Sequence, residues 1–147
     1  MNDKLLLSNQ VCFLFYQIDR EIISLYRPFL DTLGLTYPQY LVMLVLWEED
    51  NITVGHLGER LALDTGTISP LVKRMEKAGL LARSRDPQDE RVVRLTLTEK
   101  GTALKETAAS VPEALASCLD LSHEEYLKLK KDMTALLEKI HRQKCGL

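Results

Sequence analysis

Apolar residues crowd the opening of the chain on almost every side. Val11, Cys12, Phe13, Leu14, Phe15, Ile18, Ile22, Ile23 and Leu25 leave little room for a polar face. The pattern predicts a helix from about Lys4 to about Tyr26 that must be covered all round. In a chain of 147 residues the expected cover is a second copy. Pro28 and Gly34 punctuate the chain, and "YPQYLVMLVLWEE" then predicts a short buried helix with Pro38 in its first turn.

The segment "ITVGHLGERLALDTGTISPLVKRMEKAGL" changes character. Leu57 and Leu61 mark the apolar side of a short helix starting near Thr53, and "LALD" is a tight connection. Asp64 or Thr65 can cap a second helix that runs to about Ala78, with Gly79 beyond its end. Ile68, Leu71, Val72 and Met75 form its apolar face, while Thr65, Thr67, Ser69, Lys73, Arg74 and Lys77 lie opposite. Two short helices of this kind predict a helix-turn-helix over about 53–78. Leu81–Arg85 and Val92–Leu97 alternate like strands around the turn residues "DPQDE", a hairpin over about 81–97 that would form a wing.

The last third returns to helical spacing. Thr98 can cap a helix, Pro112 predicts a kink or restart, and Ser122 with Glu125 makes a capping box. Tyr126, Leu129, Met133, Leu136, Leu137 and Ile140 then run along one stripe. The fold class is mainly α with a small β-wing, in a single domain spanning 1–147. A winged helix-turn-helix sits between dimerisation helices at about 4–30 and 98–144. A homodimer of this plan sets two recognition helices about 34 Å apart over a pseudo-palindromic site in double-stranded DNA.

Charge distribution supports that partner more than the net charge of −2 does. Between Leu71 and Arg94 stand seven basic residues (Lys73, Arg74, Lys77, Arg83, Arg85, Arg91, Arg94) against four acids (Glu76, Asp86, Asp89, Glu90). A basic island on an acidic body suits phosphates, although a solvated charged face has the same composition. Thr65, Thr67 and Ser69 occupy the helix turns that approach base edges, and Pro70 can touch a thymine methyl. Lys73 and Arg74 suit phosphates. Arg91, near the hairpin tip and oriented by Asp89, suits a narrow A·T-rich minor groove, with Arg85 on the same basic hairpin.

Other chemistry is sparse. His56, His123 and His141 show no catalytic or metal spacing, and no phosphate-cradling glycine loop is present, so neither a metal nor a cofactor is expected and an enzyme is disfavoured. Cys12, Cys118 and Cys145 make an odd set without CxxC spacing, which argues against a disulfide framework or a structural zinc site. Cys145, two residues from the end, reads as a bystander. No apolar run reaches the ~18 residues of a membrane span and "MNDKLLLSNQ" lacks signal-peptide character, so the expected location is cytoplasmic.

The wing "DPQDERVVRLTLTEKG", with its D-x-R (Asp89, Arg91) and "LTEKG", resembles the MarR family of winged-helix repressors over essentially the whole chain. "NQVCFLFY", "YRPFLDTLGLTYPQYLVMLVLWE" and "LDTGTISPLVKRME" resemble the OhrR branch, repressors that sense organic hydroperoxides. The resemblance implies that Cys12 is the sensor, hydrogen-bonded by Tyr26 and Tyr37 with Tyr16 nearby. Some members carry a second cysteine near the start of the last helix that closes an intersubunit disulfide, and Cys118 lies in that neighbourhood. It also implies repression, released when Cys12 is oxidised to a sulfenic acid and then joined to Cys118 of the other chain. A disulfide needs Cα atoms within about 7 Å, so helices that start further apart must move.

Helical spacing keeps both Tyr16 and Tyr26 within about 40° of Cys12 around the axis. No Lys or Arg lies within a turn of Cys12, and Asp19 shares its face. Support for a thiolate must then come from the tyrosines, from a helix N-terminus elsewhere in the fold, or from the second subunit. Buried helical cysteines are commonly plain core filling. Three other readings compete: a MarR-type repressor released by a small phenolic ligand, a thiol peroxidase, and a winged helix used only for protein contacts.

Overall fold

The computed structural model describes residues 3–144, which fall into two compact units meeting at Val111 and Pro112. The first contains α1 (Val11–Leu33), α2 (Tyr37–Glu48), β1 (Ile52–Thr53), α3 (Val54–Leu61), α4 (Thr65–Lys77), β2 (Leu81–Arg85), β3 (Val93–Leu97) and α5 (Glu99–Ala108). The second holds α6 (Val111–Leu119), which begins at the boundary, and α7 (His123–Lys144). Cys145 lies outside the described residues. No single described helix is long and apolar enough to cross a membrane.

The first helix starts later than its apolar pattern predicts. Two short 3₁₀ turns, Asp3–Leu5 and Leu7–Asn9, stand where helix was expected. Their amide side chains explain the delay. Asn9 Nδ2 donates to the Asp3 carbonyl at 2.7 Å, and Gln10 Nε2 donates to the Lys4 and Leu6 carbonyls at 2.7 and 3.1 Å. Side chains that capture local carbonyls offer the backbone an alternative to helix. The helix also passes through Pro28, which does not punctuate it. Proline frees the carbonyl four residues back, at Ser24, and that residue is exposed to water. The true stop is Gly34, which caps α1 at φ 66°.

α2 is the centre of the first unit. Thr36 and Gln39 form a reciprocal capping box at its start, and Tyr40, Val42, Met43, Val45 and Leu46 are buried. Around it close Leu30 and Leu33 of α1, Leu57 of α3, the Ile68–Leu71–Val72–Met75 face of α4, and Leu81 and Leu95 of the sheet. The sheet has three strands in the order β1-β3-β2, one more than the predicted hairpin. β2 and β3 pair antiparallel from Leu81↔Leu97 to Arg85↔Val93, while β1 adds only Ile52↔Leu95 and Thr53↔Arg94. A strand of two residues has no readable alternation of its own; its partner forty residues on defines it.

α5 is locked to this core through its first turn. Thr98 Oγ1 accepts from the Gly101 N–H at 3.0 Å, and Trp47 Nε1 of α2 donates to the Gly101 carbonyl at 2.9 Å. A Cβ on Gly101 would stand 2.1 Å from the Leu80 carbonyl oxygen, so only glycine lets α5 approach the end of α4 this closely. Gly101→Ala is therefore expected to destabilise the fold by about 1–3 kcal/mol through overpacking. Thermal melts at fixed protomer concentration check this, and an unchanged midpoint would contradict the packing seen here.

In the second unit, Pro112 falls in the first turn of α6, so the chain restarts rather than kinks. Ser122 and Glu125 form the expected capping box: the Glu125 N–H donates to Ser122 Oγ at 3.2 Å and the Ser122 N–H to Glu125 Oε2 at 2.8 Å. The apolar stripe of α7 is left uncovered in the single chain, with Tyr126, Leu129, Met133, Leu137 and Ile140 all exposed.

Candidate nucleic-acid interface and sensor cysteine

The turn between α3 and α4 is tight because Gly58 admits it. The Leu63 N–H donates to the Gly58 carbonyl at 2.9 Å, and a Cβ on Gly58 would meet the Leu63 carbonyl oxygen at 2.8 Å. Asp64 is the cap of α4. Its Oδ1 accepts the Thr67 N–H at 2.8 Å, and that hydrogen bonding holds its carboxyl below the usual range. With Ile68, Leu71, Val72 and Met75 buried, Thr65, Thr67, Pro70, Lys73 and Arg74 are presented to solvent, and Ser69 is half-buried.

A groove of about 560 Å³ separates α4 from the wing. It brings Thr65, Ser69 and Lys73 together with Arg91, four of the residues expected to contact DNA. Thr67, Pro70 and Arg74 are exposed outside its lining. Thr53, Gly55 and Arg83 also line it and were not singled out from sequence. Arg85 is placed elsewhere: its Nη1 donates to the Glu90 carbonyl at 2.8 Å, bracing the hairpin turn. Arg91 stands nearly free, its side chain 93% exposed, with its own N–H and Nε donating to Asp89 Oδ1 at 3.1 and 3.3 Å. Asp89 thus orients the tip arginine as its spacing predicted.

Two further arginines brace the wing. Arg83 Nε and Nη2 donate to Glu76 Oε1 at 3.1 and 2.9 Å, and the Arg83 N–H donates to Glu76 Oε2 at 2.8 Å, tying β2 to α4. Arg94 Nε donates to Asp86 Oδ2 at 2.7 Å and its Nη1 to the Asn51 carbonyl at 2.8 Å. Among the described residues, Lys73, Arg74 and Lys77 make no ion pair. Among the described residues, the unpaired cations of this region are thus on α4, and the wing-tip Arg91 is paired only with its neighbour Asp89.

The Asp86 carboxyl is held below its usual range by the Gln88 N–H first and the Arg94 guanidinium second. A carboxyl depressed by folding adds stability above its unfolded value, near ~3.9, and loses it as pH falls through the folded one. Asp86→Asn is thus expected to lower the melting temperature at neutral pH and to flatten its decline below about pH 4. Parallel melts across that range test it; equal acid limbs for the two proteins would refute the assignment.

Within the single chain Cys12 is not packed into the core. It is exposed, at the second position of α1, with no acidic residue in that first turn. Cys12 therefore lies at the N-terminal end of its own helix. Tyr16 lies one turn on, its ring 5.5 Å beneath the Arg20 guanidinium.

Tyr26 and Tyr37 do meet, at 4.9 Å between ring centroids, because α2 folds back on α1. Tyr40 joins them at 5.8 Å from Tyr26 and 6.4 Å from Tyr37, a third member with no signal in the sequence beyond helical spacing from Tyr37. Burial, and then the nearby Asp19 carboxylate, push the Tyr37 phenol up, so it remains a proton donor. Within one chain, however, this cluster is far from the cysteine. Fourteen residues of helix separate Cys12 from Tyr26, about 21 Å. Facing the same side of α1 does not bring them into contact.

Cys118 lies on α6, before the last helix rather than at its start, and is exposed and unpaired. Among the described residues no group of His, Cys, Asp and Glu is arranged to hold a metal ion.

A capped helix-turn-helix, a three-stranded wing and a basic groove between them define a winged helix-turn-helix regulator. The sequence profile of the SarA/Rot transcriptional regulators matches residues 24–108. The organic hydroperoxide resistance transcriptional regulator of Bacillus subtilis is 45% identical over 141 residues, covering 96% of both chains. Reduced AbfR bound to DNA, a protein of Staphylococcus epidermidis, superposes with a TM-score of 0.82 at 35% identity, over 97% of each chain. Disulfide-formed AbfR gives 0.64 at 36% identity, over 93% of this chain and 91% of that one. The chain belongs to the MarR-type winged-helix transcriptional regulators, in the branch of the organic hydroperoxide resistance regulators.

Proposed function

We propose that this protein is a homodimeric, cytoplasmic DNA-binding repressor that senses organic hydroperoxides at Cys12 and releases its operator when oxidised. The observation that carries the reading is an exposed cysteine in the first turn of α1, joined in one compact unit to a basic winged helix-turn-helix. The relatives are transcriptional regulators, and a sensor of this kind reacts once per site rather than turning over.

The uncovered apolar faces of α1 and α7 are the surfaces for the second copy, making the helices at both ends of the chain dimerisation elements. Because Tyr26 lies about 21 Å along α1 from Cys12 and Tyr37 of α2 packs against Tyr26, the phenols that meet each cysteine come from the other subunit. Two α1 helices running antiparallel would achieve this, closing an apolar site with two hydroxyl donors around the sulfur.

The Cys12 thiolate attacks the terminal oxygen of ROOH. The O–O bond breaks, the alkoxide leaves and takes a proton as ROH, and Cys12 becomes a sulfenic acid. The Cys118 thiol of the partner subunit then attacks that sulfur and expels water, closing an intersubunit disulfide. Since that bond needs Cα atoms within about 7 Å, α1 and α6 of the two chains draw together, and the two recognition helices lose their register on DNA.

Intact-mass measurement after a slight excess of cumene hydroperoxide, without reductant, tests this. A covalent dimer is expected for wild type and for neither Cys12→Ser nor Cys118→Ser. A covalent dimer in Cys118→Ser would remove the role of Cys118. Absence of any adduct on Cys12 would remove the sensor itself.

A further inference from the structure

We propose that the charged cluster joining the end of α2 to α3 is the joint through which the sensor end of the molecule sets the angle of the helix-turn-helix. The inference rests on the redox-repressor reading and assigns residues to its transmission step. Glu48 ends α2 and Glu49 caps it. Arg60 of α3 reaches both: Nη2 pairs with Glu48 Oε2, and Nη1 lies 3.5 Å from Glu49 Oε2. One turn back on α3, His56 places Nε2 3.0 Å from the same Glu49 oxygen and Nδ1 3.8 Å from Glu59 Oε2. α3 is therefore held to α2 at two points about one helical turn apart.

The other end of α2 carries Tyr37 and Tyr40, whose rings pack at a tilt against Tyr26 of α1. About 12–16 Å of helix connects the two ends. Val42, Met43 and Leu46 between them are almost wholly buried, so a push on the tyrosines moves α2 as a rod instead of bending it. Apolar contact alone would let α3 slide or roll against that rod, since the hydrophobic effect has no direction. A guanidinium shared between two carboxylates does have direction, and it sets the rotation of α3 about its own axis. From α3 the tight Gly58–Leu63 turn hands that orientation to α4.

All members of the cluster are at least one-third exposed. Exposed ion pairs contribute little to stability. Arg60, which makes no contact in the groove, is thus a positioning residue whose loss spares the fold and the reduced protein's grip on DNA while weakening the response to oxidant.

The experiment uses the full-length protein and a duplex selected from random-sequence DNA by reduced wild type. Kd is measured by fluorescence anisotropy before and after cumene hydroperoxide for wild type, Arg60→Ala, Arg60→Lys and Glu48→Gln. Wild type is expected to weaken by about 10-fold or more on oxidation. Arg60→Ala should keep its reduced Kd within about 3-fold while its oxidised-to-reduced ratio falls at least about 3-fold, with Glu48→Gln following it. Arg60→Lys, which keeps the charge and loses the fork, should lie between. A ratio equal to wild type in Arg60→Ala overturns the joint, as does an equal loss in both redox states, which marks a purely structural role. A wild-type ratio of one removes the redox reading itself and the inference with it.

Discussion

A Cys12→Ser variant is expected to bind operator DNA as tightly as reduced wild type and to stay bound at hydroperoxide concentrations that release wild type. Coupling energies of about 1–3 kcal/mol are usual between an effector event and a distant binding site, corresponding to a wild-type change of about 5- to 150-fold. Serine occupies nearly the volume of cysteine and keeps a small hydrogen-bonding group at that first-turn position, so the substitution is close to isosteric. It lacks a polarisable, ionisable sulfur and cannot take the peroxide oxygen. Anisotropy titrations with and without oxidant measure the difference. Release of Cys12→Ser by oxidant would move sensing to another residue. Retention by Cys12→Ser combined with release of Cys118→Ser would mean that the sulfenic acid, or a mixed disulfide, suffices.

Removing Arg91 should cost affinity in every redox state. Its side chain is 93% exposed and projects from the hairpin beyond any packing role, held only by Asp89. Loss of one arginine contact costs about 1–3 kcal/mol, and a dimer carries two, so Arg91→Ala should weaken binding by at least about 10-fold. The loss should be largest on duplexes with narrow A·T-rich flanks, where arginine is favoured. Lys73→Ala should instead weaken binding uniformly across sequences and reduce the salt dependence by roughly one counterion per site. Matched Kd series at several salt concentrations separate the two behaviours. An unchanged affinity for Arg91→Ala would leave the wing out of the interface.

Most of the winged helix was legible before any coordinates. The recognition helix announced itself through Ile68, Leu71, Val72 and Met75, all buried as expected, and through a cap that proved to be Asp64. The hairpin strands were placed to within a residue, and the Ser122–Glu125 capping box formed as written. Each signal comes from residues within a few positions of one another, where period, cap and turn chemistry act directly on the backbone.

What the sequence misplaced depends on partners far along the chain or on distances along an axis. The helix around Cys12 was expected from about Lys4, but Asn9 and Gln10 delay it to Val11 and leave the cysteine in its first turn. Helical angle placed Tyr16 and Tyr26 beside Cys12, while axial rise puts Tyr26 about 21 Å away, in a cluster that α2 completes with Tyr37 and Tyr40. The seven cations of the basic island looked equivalent, until Glu76 and Asp86 claimed Arg83 and Arg94 for the wing's own framework.

The sequence by itself determined the elements, their order, the face each one buries and the cysteine chemistry that could be present. The tertiary structure alone decided that β1 joins the sheet, which arginines are tied to carboxylates of the wing and α4, and which tyrosines stand together. Local bonds reach four residues, so one stretch of sequence contains both partners. Contacts such as Arg94 to Asn51, Arg60 to Glu48, or Trp47 to Gly101 exist only once the chain has closed on itself.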